Sequence, residues 1–390
     1  MVTATGLQRL LDDGVRPYRG VRLGLLTHPA AVLPDLGHGL DALLDAGADI
    51  RAVFGSEHGL RGTAQAGDSE HDAADPVTGL PLFDTYGQDS AGITEQLLKA
   101  GIDVLLVDLQ HVGSRFYTYE STLYDVVSAA GPAGVEVVVL DRPNPVGGSA
   151  VQGPVLDPGF SSFVGRAPVP VRHGMTMGEL GGLFAELLGA PRPSVVAMEG
   201  WRRDLGFAAT GLPWVPPSPN IPTAATALAY PGTCLFEGTE LSVGRGTTTP
   251  FEVCGAPWLD PATVRELRSA GLPGVAFRQA HFTPTFDRFA GEPVSGVQLH
   301  VGDPEAFDPL LTVLTVLHTV LRLHPGRPVF RPATFDLLAG SDTVRLALEA
   351  GTPPAEIVDG WSRGLSGFRE LRRGHLLYPP APGGTGRTVS

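Results

Sequence analysis

Apolar residues in the first ~150 positions fall into short β-branched runs separated by helical spacings. A run at 21–27 reads as a strand and is followed by helical periodicity at 40–46 and a second strand at 50–54. After a Gly- and Asp-rich loop at 59–81 come a helix at 93–100, a third strand at 103–109, a helix at 118–130 and a fourth strand at 136–140. Strand and helix alternating in this way predict parallel strands joined by right-handed crossovers. Gly- and Pro-rich residues 143–170 then lead into a second α/β pattern. It has a helix at 177–188, strands at 194–198, 275–278 and 297–301, and helices at 310–323 and 344–350. The segment 213–222 is too dense in proline for regular structure, and the tail after Pro379 reads as frayed. The expected fold class is α/β, a Rossmann-like parallel-sheet domain over 1–150 and a smaller α/β domain over 151–380.

Composition narrows the function. With 390 residues and 43% hydrophobic residues, the chain can build two sizeable cores. A net charge of −13 argues against nucleic acid, whose phosphates would be repelled. Cys234 and Cys254 are the only cysteines and form no CxxC pair, so neither a disulfide framework nor a Cys-based zinc site is expected. No stretch approaches the ~18 apolar residues of a membrane span. The start shows no basic segment followed by an apolar one, which makes the cytoplasm the expected location.

Ligands of open parallel sheets bind beyond the carboxyl ends of the strands. Here those ends carry Thr27-His28-Pro29, Gly55-Ser56-Glu57-His58-Gly59, Asp108-Leu109-Gln110-His111 and Asp141-Arg142-Pro143-Asn144. One polar end is commonly a helix cap, but four at one rim point to a site. Glu57 stands out, because Gly55 and Gly59 let the chain turn sharply there and aim a carboxyl into a cleft. A half-buried carboxyl in such a place keeps its proton, as a general acid requires. The bland alternative is a surface Glu57–Arg61 ion pair.

Two more clusters carry chemistry. In 113–120, Arg115 and Tyr117 suit a carboxylate and a sugar face, although a helix start capped by Thr118 explains part of the pattern. In the second half, Asn220 lies in a rigid proline loop, followed by Glu237, Glu240, Arg245 and Glu252 in a turn-rich stretch that reads as a polar pocket wall or a solvated loop. Neither GxxxxGK[ST] nor a GxGxxG after the first strand is present, so no nucleotide cofactor is expected. His28, His58, His111, His173 and His281 show no HxH or HExxH spacing, and no metal is expected.

The loops resemble a known family. SEHGLRG (56–62), VGSRFYTY (112–119), LDRPNPVGG (140–148), SPNIPT (218–223), YPGTCLFEGTELSVGRGTTTPFE (230–252), HFTPTF (281–286) and GVQLHV (296–301) occur in order. Together they are similar to the exo-β-N-acetylmuramidases of peptidoglycan turnover, from about residue 20 to Tyr378. The resemblance implies release of terminal N-acetylmuramic acid from the non-reducing end of peptidoglycan fragments, in a cleft between the two domains. It also implies that the glutamate of the SEHG loop, Glu57, is the catalytic acid. One position departs: the family pattern has an aspartate after the glutamine, where this chain has His111, and Glu120 stands where an apolar residue is usual.

The expected partner is therefore a small saccharide or muropeptide, with neither nucleic acid nor membrane; the oligomeric state is left open. Glu57 acts with a second carboxylate, for which Glu120, Asp108, Glu237, Glu240 and Glu252 are candidates. Arg115 or Arg245 pairs with the lactyl carboxylate of muramic acid, and His58, Arg61, His111, Tyr117, Asp141, Asn144, Asn220 and His281 complete the expected substrate contacts. The rivals are a metal-dependent hydrolase using His58, Asp108 and Asp141, and a non-catalytic muropeptide-binding protein.

Overall fold

A computed structural model describes residues 2–65, 67 and 73–380. Parts of the expected 59–81 loop and the end of the frayed tail lie outside these residues. In chain order the elements are α1 (Gly6–Asp12), β1 (Leu23–Thr27), α2 (Gly39–Asp45), β2 (Ile50–Gly55), β3 (Ala73–Ala74), β4 (Pro81–Asp84), α3 (Ser90–Ala100) and β5 (Val104–Asp108). There follow α4 (Thr118–Ala133), β6 (Glu136–Leu140), β7 (Gln152–Val155), β8 (Pro170–Arg172), α5 (Met177–Leu188), β9 (Ser194–Val196) and α6 (Ala224–Thr233). The remainder is β10 (Val253–Ala256), α7 (Ala262–Ser269), β11 (Val275–Phe282), β12 (Val294–Val301), α8 (Pro309–Leu323), α9 (Pro332–Ala339), α10 (Thr343–Glu349), α11 (Pro354–Asp359) and α12 (Ser362–Arg373).

Seven strands form one sheet in the order β3-β4-β2-β1-β5-β6-β9, parallel except for the short β3. Every residue of β1 and of β5 is buried, as a central parallel strand covered on both faces requires. One face packs Leu25, Val53, Leu106 and Val138 against Leu7, Leu10, Leu40 and Leu43 of α1 and α2. The other packs Phe54, Leu105, Val107 and Val139 into a core that runs on without interruption into α8 and β12. The second sheet, β10-β12-β11, is antiparallel. β9 pairs with β6, so the strand expected in the second domain belongs to the first sheet, which does not end at residue 150.

The chain reverses direction across the sheet between β1 and β5, the place where an open α/β sheet usually opens a ligand crevice. Here that crevice is filled. The buried His28 accepts a hydrogen bond from the Gln110 amide at 2.8 Å, and segment 207–215 closes over Gln110 and Arg142, leaving a cavity of only about 10 Å³.

Candidate active site

The open site lies one strand further along, beyond β2. After Gly55 the chain folds into a tight turn in which Gly59 N–H donates to the Ser56 carbonyl at 2.9 Å. His58 takes a left-handed backbone conformation (φ +74°), a cost of about 1–3 kcal/mol for a residue with a side chain. Its ring lies 3.2 Å from the Ala64 carbonyl through Nδ1, and its burial lowers its pKa. This turn delivers Glu57 onto the first turn of α4. There Glu57 Oε2 accepts from the Thr118 hydroxyl at 2.6 Å, and Oε1 accepts from the Gly67 amide at 2.7 Å. Tyr119 braces the same turn, donating its hydroxyl to the Pro217 carbonyl at 2.8 Å.

The opposite wall comes from the turn after α6 and the loop that follows it. Arg245 Nε donates to Glu237 Oε1 at 2.7 Å, and the guanidinium lies 5.1 Å from the ring centroid of Phe251. Glu57, Glu237 and Arg245 line both lobes of the cleft. The inner lobe, about 120 Å³, is walled by His58, Tyr117, Ser218 and Tyr230 among others. The outer lobe, about 530 Å³, reaches solvent past Phe286 and Arg331. Two carboxyls and a guanidinium at the junction can exchange a proton, stabilise positive charge and bind an anion.

Of the residues expected at the site, Glu57, His58, Tyr117, Glu237 and Arg245 come together here. Asn220 is buried beside Ser218 and Ile221, which line the inner lobe. The others go elsewhere, each for a visible reason. Asp108 is buried in a two-pronged bond to Arg142 (2.5 and 2.9 Å). Asp141 accepts from Tyr378 (2.5 Å), Thr176 (2.7 Å) and the Gly178 amide (2.9 Å), while burial pushes its pKa up to about 6. Asn144 pins local backbone at Met175 and Val146. Arg115, buried, donates to the carbonyls of Pro154, Val169 and Leu338 at 2.7–3.1 Å. Arg61 grips Asp75 at 2.8 and 3.0 Å rather than Glu57; although burial works against it, these bonds and those from Thr78 hold Asp75 at about 2. Glu240 pairs with Arg288, Glu252 accepts from Thr226 at 2.6 Å, and His281 is exposed on β11.

His111 and Glu120 lie behind the site, not in it. Glu120 Oε1 is 3.1 Å from His111 Nδ1 and 2.9 Å from His173 Nε2, with all three residues buried. Burial lifts Glu120 to about 7 and drops His173 to about 3. This trio is the only group among the described residues with metal-ligand spacing. However, His173 Nδ1 accepts the Met175 N–H at 3.1 Å, which puts the ring proton on Nε2, facing Glu120. A metal on Nε2 would move that proton to Nδ1, where an N–H already points. The trio is built as a hydrogen-bonded unit, and His58, Asp108 and Asp141 form no metal cluster among the described residues. Thr118, Phe286 and Arg331 were not singled out from the sequence as site residues. Thr118 reads in the sequence as a helix cap, but the N-cap of α4 is Tyr117, no side chain caps that helix, and the Thr118 hydroxyl goes to Glu57 instead; nothing around Arg331 marks it.

Comparison with known proteins places the chain in a family. The N-terminal family profile of exo-β-N-acetylmuramidase NamZ matches residues 23–225, and its C-terminal counterpart matches 228–378. The peptidoglycan β-N-acetylmuramidase NamZ of Bacillus subtilis (strain 168) is 43% identical over 379 residues, covering 96% of this chain and 91% of that protein. Two crystal structures of DUF1343 family proteins from Bacteroides fragilis NCTC 9343 superpose with TM-scores of 0.87 and 0.80, at 32% and 30% identity. They cover 96% and 97% of this chain and 99% and 100% of their own. With the two profiles together matching residues 23–225 and 228–378, the chain belongs to the exo-β-N-acetylmuramidase NamZ family.

Proposed function

We infer that this chain is a glycoside hydrolase that releases terminal N-acetylmuramic acid from the non-reducing end of peptidoglycan fragments. Glu57 protonates the departing glycosidic oxygen as the bond to the anomeric carbon breaks. Glu237, on the opposite wall, stabilises the positive charge that develops on the sugar ring. Water adds to the anomeric carbon, and its proton restores the acid at Glu57. Arg245 Nη1, which makes no bond to Glu237, is the donor offered to the lactyl carboxylate.

The observation that carries this reading is the placement of Glu57: it lines both lobes of the cleft, with each carboxyl oxygen held by one donor. The Thr118 hydroxyl can donate to the carboxylate or accept from the acid, so the contact serves both protonation states. Assay of a chromogenic β-N-acetylmuramide tests the reading. The wild type releases the chromophore, and Glu57→Gln keeps its circular dichroism and sugar binding while kcat falls by about 10³. Near-normal turnover by that variant would sink the assignment.

A further inference from the structure

The outer lobe carries features that the chemistry at Glu57 does not use. Phe286 is 44% exposed, yet it lines the cleft. A large aromatic face left in water at the mouth of a sugar cleft is a stacking platform for a pyranose ring. The loop that presents it is held in place. Asp287 and Phe289 are both left-handed (φ +68° and +63°), conformations that persist only where the surroundings enforce them. The enforcement is visible: the Thr285 amide and hydroxyl each donate to the Gly246 carbonyl at 3.0 Å, and Gly291 N–H donates to the Pro284 carbonyl at 2.8 Å. Gly246 is itself left-handed (φ +78°), and a Cβ there would meet the Phe286 amide nitrogen at 2.7 Å. Only glycine lets the loop come this close to the residue following Arg245.

Charge supplies a second, independent sign. Three arginines face the lobe together with the carboxylates of Glu57, Glu237 and Asp287. Arg245 is paired with Glu237 and Arg288 with Glu240. Arg331 is exposed and has no side-chain partner among the described residues. Its backbone is nevertheless fixed, since its N–H donates to the Gly238 carbonyl at 2.7 Å, one residue from Glu237. A guanidinium anchored at the site and left without a carboxylate, in a chain of net charge −13, is a seat for an anion brought by the ligand.

We propose that the outer lobe is a subsite for the leaving side of the substrate, stacking a sugar ring on Phe286 and pairing Arg331 with a carboxylate of an acidic amino-sugar chain. This rests on the proposed function, because it takes the inner lobe as the seat of the terminal sugar. An exo-acting cleft needs a blind end for that sugar and an open end for the rest, and the two lobes differ in that way.

Binding of a leaving-side fragment tests the subsite without turnover. The probe is the disaccharide of N-acetylglucosamine linked to N-acetylmuramic acid, titrated calorimetrically, with its carboxyl methyl ester as control. Phe286→Ala should raise Kd about tenfold for acid and ester alike, whereas Phe286→Trp keeps it near the wild-type value. Arg331→Gln should raise Kd about fivefold to tenfold for the acid and leave the ester unchanged, the difference shrinking as salt rises. Unchanged Kd in both alanine and glutamine variants overturns the subsite. Equal wild-type affinity for acid and ester overturns the role of Arg331. Failure of the wild type to cleave the chromogenic muramide strikes the proposed function alone, because the binding result stands apart from it.

Discussion

The rim of the parallel sheet ends in polar residues at several strands, but the ends of β1, β5 and β6 differ in kind from the end of β2. At the first three, His28, Asp108, Asp141 and Asn144 are buried and bonded to partners within the protein. At the fourth, Glu57 is only partly covered, and its carboxyl faces a cleft with both oxygens held. A polar group whose hydrogen-bonding capacity is met by the protein stabilises the fold; one that is oriented and still accessible can act on a ligand. Family and rim position alone do not separate the two, whereas the bonding partners do.

The contrast can be broken by mutation. The largest effect is expected at the open end, where Glu57→Gln removes the proton donor and costs about 10³ in kcat, roughly 4 kcal/mol. At the filled end Asp108→Ala strands the buried Arg142 cation and lowers unfolding free energy by about 3–5 kcal/mol in urea titration. The rate per folded molecule should then stay at the wild-type level, and a specific loss of kcat would erase the distinction between the two ends.

Glu120 sharpens the comparison through pH. Burial holds it at about 7, above its ordinary 4.5. A carboxyl raised in the folded state contributes stability that is complete below about pH 4.5 and is lost as pH climbs to about 7. The stability of the wild type relative to Glu120→Gln should therefore fall over that window, by about 3 kcal/mol, and level off above it. A flat difference across the window would mean that the trio does not titrate as a unit. The smallest effect belongs to Thr118→Val, which removes one hydrogen bond to Glu57 and should cost about tenfold in kcat with KM little changed.

Much of the fold was legible because long periodic segments dominate it. The four strands and three helices expected in the first ~150 residues are all present, as are α5, α8 and α10. Short elements were not legible: β7, β8 and β10 have three or four residues each, too few to display a period. The pairing of β9 with β6 depends on a contact between residues more than 50 positions apart, which no local pattern records. At the site, Glu57 could be found because glycines around it advertise a turn. Arg115 misled because its charge suggests a ligand, while its partners are backbone carbonyls that leave no trace in side-chain sequence. The exchange at position 111 was visible from sequence, but that His111 and Glu120 meet at one carboxylate oxygen required the fold.

That same Arg115 fastens the two halves of the chain to each other. Its guanidinium binds carbonyls contributed by three separate stretches, the last 223 residues away at Leu338. A cut between the family's N- and C-terminal segments takes away one of its three acceptors, because the Pro154 and Val169 carbonyls lie on its own side and that of Leu338 on the other. Separating the two segments leaves this buried guanidinium with a donor unmet.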